Sequence, residues 1–432
     1  MTADIADLLA YLDASPSPYH AAAEAGRRLA AAGSTAVDPL GAWADVPDRG
    51  HVVADGAVVA WSLPAGGPAL PPLRLVGAHT DSPGLRVKPR PDTGVAGWRQ
   101  LAVEVYGGAL VNSWLDRDLG LSGRVAVRVD GRVETRRLRI DRPLLRVPQL
   151  AIHLDREITS RGLQLDRQRH LTPVWGVGSV DVGGFRTLVA DELGVAPDAV
   201  SGWEVMVHDL SPAALVGADA SLVSSGRLDD LCSCWAGLVA LGEVGALGSD
   251  APVGAVLVLN DHEEVGSAST RGAGGPLLGQ VLERLALARG GGRGDVLAAI
   301  GASALASADM AHGTHPNHPE KHEPGHWIAV DGGPVVKVNA NQRYATEPAT
   351  QALFEAACAR AGVPVQHFVG HNEVPCGSTI GPITATELGV PTVDVGVAQL
   401  AMHSARELCG ATDPVRMAAA LTAWLTPDHP QA

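Results

Sequence analysis

Histidine and acidic residues at the ends of apolar segments are the first candidates for chemistry. His79-Thr80-Asp81 directly follows the apolar run 73–78. Imidazole is a borderline ligand that suits zinc, and a carboxylate two residues later can orient an imidazole or raise its basicity. A single histidine at the end of a strand is more often structural or solvent-facing than a ligand. This segment therefore needs partners elsewhere in the chain.

A pair of adjacent glutamates supplies the second candidate. Glu263 and Glu264 follow the apolar run 255–259 and the polar residues Asn260-Asp261-His262. Burying two carboxylates side by side is costly unless a cation lies between them. A metal-binding loop removes that cost, because one carboxylate can ligate the metal while the other accepts a proton from a water whose pKa zinc lowers to about 7. A solvated acidic turn is the alternative for this segment taken alone.

Three further polar junctions extend the set. They are 307–312 with Asp309, 401–407 with His403, and 227–230 with Asp229. Together with His79 and Glu264 they give two histidines and three acidic ligands, and Glu263 remains free. That is the composition of a two-metal hydrolase in which one carboxylate bridges the metals.

Other polar clusters favour different interpretations. Five histidines between residues 312 and 326 could form a metal-buffering tract, but three prolines predict a loop, which we place over the active site with His312 near the substrate. Cys232 and Cys234 lack the two-residue gap of zinc knuckles and fall in a predicted helix, so packing is the favoured role. Residues 290–294 lack the ending of a phosphate-binding loop and are interpreted as a linker.

Alternating strands and helices must position these residues. The runs 73–78 and 255–259 predict buried strands, and open α/β sheets bind ligands at the carboxyl ends of such strands. Segments that alternate apolar with polar residues predict a different, mostly β region: 101–105, 123–129, 133–140 and 203–208. Helices are predicted at 19–32, 231–247, 276–288, 348–361 and 414–425. We therefore expect an α/β catalytic domain of residues 1–87 and 227–432, interrupted by a β-rich domain of residues 88–226.

Composition narrows the classes of function. The 432 residues carry a formal net charge of -14 and no long block of Lys or Arg, which argues against nucleic acid and anionic membranes as partners. Five cysteines are few and odd in number, so a reducing cytoplasm is the expected location. Residues 1–12 carry acidic residues where a signal peptide would be basic, and no apolar run reaches the ~20 residues that span a bilayer.

At these positions the sequence resembles a bacterial member of the aspartyl aminopeptidase family of dinuclear zinc metallopeptidases. The matching segments run in family order over nearly the whole chain. They include 15–20 (SPSPYH), 79–83 (HTDSP), 106–108 (YGG), 114–118 (WLDRD), 152–154 (IHL), 227–229 (RLD), 261–267 (DHEEVGS), 307–312 (SADMAH), 315–317 (HPN), 337–346 (KVNANQRYAT), 375–382 (PCGSTIGP) and 402–404 (MHS). The resemblance implies a mixed-sheet catalytic domain with helices on both faces, interrupted by a β-rich dimerisation domain.

The resemblance also implies roles for individual residues. His79 and Asp309 would bind one zinc, Glu264 and His403 the other, and Asp229 would bridge them; Mn or Co could substitute. Glu263 would be the general base and Asp81 would orient His79. Residues expected to contact the peptide substrate are His312, Lys337, Arg343, Tyr344, Gly377 and Ser378.

Quaternary structure and substrate preference follow from the same resemblance. His153 would stabilise the oxyanion in a neighbouring subunit's site, within a dodecamer built from dimers. The family prefers N-terminal Asp or Glu, for which Lys337 or Arg343 would supply the partner. Asp230 replaces the usual Asn and adds a charge near the metals. The alternative functions are a related dinuclear zinc aminopeptidase or deacylase that prefers neutral substrates, and a catalytically silent scaffold.

Overall fold

A computed structural model describes residues 3–248 and 251–429. The helices of this part of the chain have the following bounds. They are α1 (Ile5–Ala14), α2 (Pro18–Ala31), α3 (Ile158–Arg161), α4 (Gly184–Leu193), α5 (Leu228–Val244), α6 (Leu277–Ala288), α7 (Arg293–Gly301), α8 (Pro348–Arg360), α9 (Ile380–Leu388) and α10 (Asp413–Leu425). The strands belong to three sheets, and the largest of these positions most of the candidate residues.

The central sheet has nine strands. Their spatial order is β1 (Thr35–Ala36), β2 (Arg49–Ala54), β3 (Ala57–Ser62), β13 (Gly254–Asn260), β4 (Leu73–His79), β14 (Ala304–Ala308), β18 (Thr392–Gly396), β16 (Val335–Val338) and β17 (Gln366–Val369). The inner strands β13, β4, β14 and β18 run parallel, whereas β3 and β16 pair in antiparallel fashion. Because the inner four run parallel, their carboxyl ends lie at one edge of the sheet.

Helices cover both faces of the central sheet. One face packs against α1, α2, α5, α8 and α10, with Trp235 and Trp424 among the buried side chains. The other face packs against α6 and α7, with Trp61 and Leu285 in the core. Strands β4, β13 and β14 are buried along their whole length, as expected for continuous apolar runs that are covered on both sides. The α/β fold with helices on both faces is confirmed.

A second, antiparallel sheet lies in the region predicted to be inserted. Its order is β8 (Arg132–Leu145), β7 (Leu119–Val129), β10 (Val200–Asp209), β5 (Gly84–Val95), β6 (Trp98–Tyr106) and β9 (Val174–Val177). It has its own apolar core with Phe185 of α4, a helix that the sequence pattern did not predict. The domain division at residues 88 and 226 stays a prediction, with β5 running across the first boundary.

A third sheet of five strands carries the last candidate ligand. Its order is β11 (Ala214–Val216), β12 (Leu222–Ser225), β20 (Glu407–Gly410), β19 (Ala398–Leu400) and β15 (Ala311–His312). The turn between β19 and β20 contains His403, whose φ of +66° is in the left-handed region. This sheet therefore delivers His403 toward the edge where the parallel strands end.

Candidate metal centre

Two histidines from different sheets face one aspartate. His79 is the last residue of β4, and its Nε2 lies 3.3 Å from Asp229 Oδ1. His403 Nε2 lies 3.3 Å from Asp229 Oδ2. Asp229, in the first turn of α5, is buried. One carboxylate thus lies between two imidazoles, with a different oxygen toward each.

The other nitrogen of each imidazole is placed against a carbonyl oxygen. His79 Nδ1 lies 3.0 Å from the Asp81 carbonyl, and His403 Nδ1 lies 3.2 Å from the Gly108 carbonyl. Since a carbonyl oxygen only accepts, the proton of each neutral imidazole belongs on Nδ1. Each Nε2 then turns its lone pair toward Asp229, which is the arrangement of metal-ligating histidines.

The two glutamates occupy a single 3₁₀ turn after β13. Glu264 Oε1 lies 3.3 Å from His403 Nε2, and Glu263 Oε2 lies 4.0 Å from His79 Nε2. Asp81 accepts both backbone amides of this turn, from Glu263 at 3.0 Å and from Glu264 at 3.1 Å. Burial raises the pKa of Glu263 to about 7; the charge of His79 opposes this rise, and the charges of Asp309 and Asp229 add to it.

Asp309 follows β14, and its Oδ1 lies 3.7 Å from His79 Nε2. The buried Lys337 donates to the carbonyls of Asp309 at 3.1 Å and Met310 at 3.2 Å. Asp230 is also buried, and its Oδ2 accepts the amide of His79 at 3.1 Å. Burial and the neighbouring carboxylates raise the pKa of Asp230. The Asp229–Asp230 peptide bond is cis.

The donor set suits a divalent metal of the zinc class. Two overlapping groups have ligand atoms within 4.8 Å of one another: His79 with Asp229 and Glu264, and His79 with Asp230 and Asp309. Within the described residues, Asp229 Oδ1 and Glu264 Oε1 are buried and accept no hydrogen bond. Buried carboxylate oxygens require a partner, and imidazole with carboxylate is a common zinc ligand set. A cation therefore fits here.

A cavity of about 260 Å³ lies near the predicted substrate residues. His312, Tyr344 and Gly377 line it. Ser378 donates to the carbonyl of Arg343 at 3.3 Å, and Arg343 itself is exposed on a neighbouring depression. Of the side chains predicted to contact substrate, those of His312 and Tyr344 therefore line this cavity, while Arg343 lies outside it.

Comparison with known proteins identifies the family. Residues 11–425 match the family described as aminopeptidase I zinc metalloprotease (M18). A Streptomyces coelicolor protein named probable M18 family aminopeptidase 2 is 54% identical over 98% of this chain and 97% of its own. The same name is carried by a Mycobacterium leprae protein that is 52% identical over 99% of this chain and 100% of its own. This chain belongs to the M18 family of zinc aminopeptidases.

Solved structures agree with this identification. A structure titled as the Ape4 and Nbr1 complex contains a chain that is 33% identical, with a TM-score of 0.93 over 98% of this aminopeptidase and 85% of that chain. The S. cerevisiae mApe1 dodecamer is 25% identical, with a TM-score of 0.84 over 97% of this chain and 95% of its own. Within the described residues of this aminopeptidase, no helix is long and apolar enough to cross a bilayer.

His153 of this aminopeptidase lies apart from the metal-ligand cluster. It occupies an exposed turn of the second sheet's domain, between the exposed side chains of Ile152 and Leu154.

Sequence reasoning missed one residue that supports the ligands directly. Glu407 is buried at the start of β20, and its two oxygens accept the amides of Asp229 at 3.1 Å and His403 at 2.7 Å. Its position three residues after the His403-Ser404 pair, within the polar junction 401–407, was the available signal.

Proposed function

We propose that this aminopeptidase removes N-terminal Asp or Glu from peptides with two zinc ions in the site. The observation that carries the proposal is Asp229, whose two oxygens each lie 3.3 Å from a different imidazole, with Glu263 beside them. A carboxylate shared in this way is the natural bridge between two metals.

The proposed ligands divide around that bridge. His79 and Asp309 would hold one zinc, and Glu264 and His403 would hold the other, with Mn or Co as substitutes. When bound, the metals polarise the peptide carbonyl and lower the pKa of a water molecule. The chain's own residues supply the orientation: the Nδ1 atoms of both histidines are directed at carbonyl oxygens, which fixes the nitrogen that each presents.

Glu263 is the proposed general base and then the acid. It takes a proton from the water that attacks the carbonyl carbon, and it returns that proton to the leaving amine when the C–N bond breaks. Asp81 is a positioning residue, because it accepts the amides of Glu263 and Glu264 and lies next to His79.

A positive environment supports the proposed preference for acidic residues. The cavity lined by His312 and Tyr344 also includes Lys321 and His322, and none of the described residues lining it is acidic. Lys337 lies behind Tyr344, with its ammonium 5.1 Å from the centre of that ring. Its ammonium donates to two carbonyls and lies 3.9 Å from Asp309 Oδ2, so its proposed contribution is a positive charge near the substrate carboxylate and not a free N–H group. Gly377 and Ser378 are proposed to shape the adjoining wall.

We propose a homo-oligomer, a dodecamer built from dimers, as the active form in the cytoplasm. The related S. cerevisiae structure is titled a dodecamer. His153 supports this proposal because it lies in an exposed apolar turn, where Leu150, Ile152 and Leu154 are each more than half exposed. In the assembly His153 would stabilise the oxyanion of a neighbouring subunit.

The decisive experiment measures release of the N-terminal residue from a panel of peptides. Wild-type protein is compared with Glu263→Gln, with and without a chelator. We expect chelator-sensitive release that is fastest from Asp and Glu peptides and falls ~10²–10⁴-fold in the variant. Metal binding without turnover would identify a scaffold, and faster release of neutral residues would keep the chemistry but refute the assigned substrate.

A second measurement tests the residue that recognises the acidic side chain. Lys337→Met and Arg343→Met are assayed on matched Asp and Ala peptides. We expect Lys337→Met to lose the preference, because Lys337 is a buried cation 5.1 Å from the centre of the Tyr344 ring, while the exposed Arg343 changes it little. An unchanged preference in Lys337→Met would show that Lys337 does not recognise the substrate.

A further inference from the structure

The end of strand β6 lies directly against the metal-ligand cluster. Tyr106 is the last residue of this strand, and Gly107 and Gly108 follow it. The Tyr106 hydroxyl donates to Asp81 Oδ2 at 2.7 Å. The Gly108 carbonyl lies 3.2 Å from His403 Nδ1. One short segment of the second sheet therefore contacts the supports of both histidines.

The hydrogen bond from Tyr106 matters because Asp81 holds several site residues in place. Its Oδ2 accepts from the Tyr106 hydroxyl and from the amide of Glu264, while its Oδ1 accepts from the amide of Glu263. The backbone carbonyl of Asp81 lies against His79 Nδ1. Because Asp81 holds the glutamate turn and lies beside His79, a change in the position of its carboxylate moves three proposed site residues together.

The two glycines allow the backbone to come this close. Gly107 has a φ of +66°, and a Cβ atom there would lie 3.1 Å from both the Cβ and the carbonyl oxygen of Glu264. A Cβ atom on Gly108 would lie 3.2 Å from His403 Nδ1. These separations are tighter than ordinary van der Waals contact. The segment is thus packed against Glu264 and His403 with no room for a side chain.

We propose that Tyr106–Gly108 is a positioning element by which the second sheet orients the metal ligands of its own subunit. Tyr106 acts through Asp81 on His79 and on the glutamate turn, and the Gly108 carbonyl fixes the tautomer and ring angle of His403. The proposal rests on the proposed function, because it takes these residues to be ligands. Outer hydrogen-bond partners of this kind are worth about 10–100-fold in metal affinity or activity.

Tyr106→Phe tests the proposal with a matched control. Tyr19→Phe removes a comparable hydrogen bond, since the Tyr19 hydroxyl donates to Glu204 Oε2 at 2.8 Å and also joins a helix of the catalytic domain to the second sheet. Zinc affinity is measured on metal-free protein by competition with a chromophoric chelator. Absorption spectra of the cobalt-substituted proteins then report the ligand geometry. Kinetics with an Asp peptide give kcat and KM separately.

We expect Tyr106→Phe to weaken zinc binding about tenfold or more, to alter the cobalt spectrum and to lower kcat with little change in KM. Tyr19→Phe is expected to stay within about twofold of wild type. Gly108→Ala, which crowds His403 Nδ1, should also weaken zinc binding. Unchanged zinc affinity in Tyr106→Phe, or an equal loss in Tyr19→Phe, overturns the proposal.

The experiment still tests the role of Tyr106 if the proposed function is wrong. Zinc affinity and the cobalt spectrum do not depend on turnover. A wild-type protein that binds zinc but releases no residue from any peptide refutes the function, while the comparison of Tyr106→Phe with Tyr19→Phe still decides the role of Tyr106. Near-UV circular dichroism of each variant shows whether its fold is retained.

Discussion

A substitution at Glu407 would perturb the site while leaving every proposed ligand in place. Its carboxylate is buried, and each oxygen accepts one backbone amide, from Asp229 at 3.1 Å and from His403 at 2.7 Å. Both donors belong to residues that converge on the bridge. Glu407→Gln keeps the shape of the side chain but replaces one acceptor oxygen with an NH₂ group.

The magnitude follows from this exchange. One amide N–H loses a charge-assisted bond worth about 1.5–3 kcal/mol and then faces another donor. We expect a net cost of about 2–3 kcal/mol in the free energy of unfolding, together with weaker zinc binding.

The assay is denaturant unfolding of metal-free protein at one fixed protein concentration, followed by zinc competition on the same samples. Glu355→Gln is the matched control. Glu355 also accepts from two side chains, Gln351 at 2.8 Å and His367 at 2.7 Å, but it lies at the surface. We expect the control to change stability by less than about 0.5 kcal/mol. If Glu407→Gln matched the control in both measurements, Glu407 would not hold the two ligand segments.

Two further predictions concern stability alone. Burial lowers the pKa of His20 from 6.5 to about 4, so the folded protein binds this proton more weakly than the unfolded chain does. The contribution of neutral His20 to stability is complete above pH 6.5 and is lost as the pH falls toward 4. His20→Asn should therefore reduce the loss of stability between pH 7 and pH 5 by about 2 kcal/mol, and parallel pH profiles of unfolding for the two proteins would contradict this. A Cβ on Gly237 of α5 would lie 2.6 Å from Leu257 Cδ1. Gly237→Ala should therefore lower the free energy of unfolding by about 1–3 kcal/mol, although alanine has the better helix propensity. Thermal unfolding shows whether the variant is less stable, as expected, or more stable.

The strand ends were predictable from sequence because their physical causes are local. The runs before His79, Glu263 and Asp309 are mostly apolar, and a strand covered on both faces buries such a run. Strands β13, β4 and β14 are neighbours and parallel. Polar residues that follow them therefore meet at one edge. The sequence pattern therefore predicts that these residues share an edge, but it does not predict the order of the strands.

Lys337 shows where residue type alone is insufficient. The resemblance makes it a proposed partner for an acidic substrate, and the structure adds a second role, because its ammonium donates to the carbonyls of Asp309 and Met310. The strand that carries it, β16, pairs antiparallel with β18, and that register is set by contacts far apart in the chain. Helix α4 was missed for a related reason, since it is held by the apolar core around Phe185 and has a glycine at its first position.

Proposed ligands differ from supporting residues in whether hydrogen-bond donors contact their carboxylate oxygens. The sequence does not show this difference. Asp81 and Glu407 carry carboxyl groups that are as buried as that of Asp229, yet N–H or O–H groups donate to both of their oxygens. In contrast, Asp229 Oδ1 and Glu264 Oε1 accept no hydrogen bond from the described residues. A buried oxygen without a donor is costly unless a cation lies against it.

Asp230 falls between these two classes. One of its oxygens accepts the amide of His79, and the other accepts no hydrogen bond among the residues that the structure describes. Asparagine could keep the first contact through its carbonyl oxygen, so the amide bond does not require the charge. The charge of Asp230 is therefore available to the metal through its second oxygen, beside Asp309 and His79. A carboxylate at this position adds negative charge beside His79 and Asp309, the proposed ligands of one zinc, and zinc held there is expected to dissociate more slowly than in an Asp230→Asn variant, as release to a chromophoric chelator would measure.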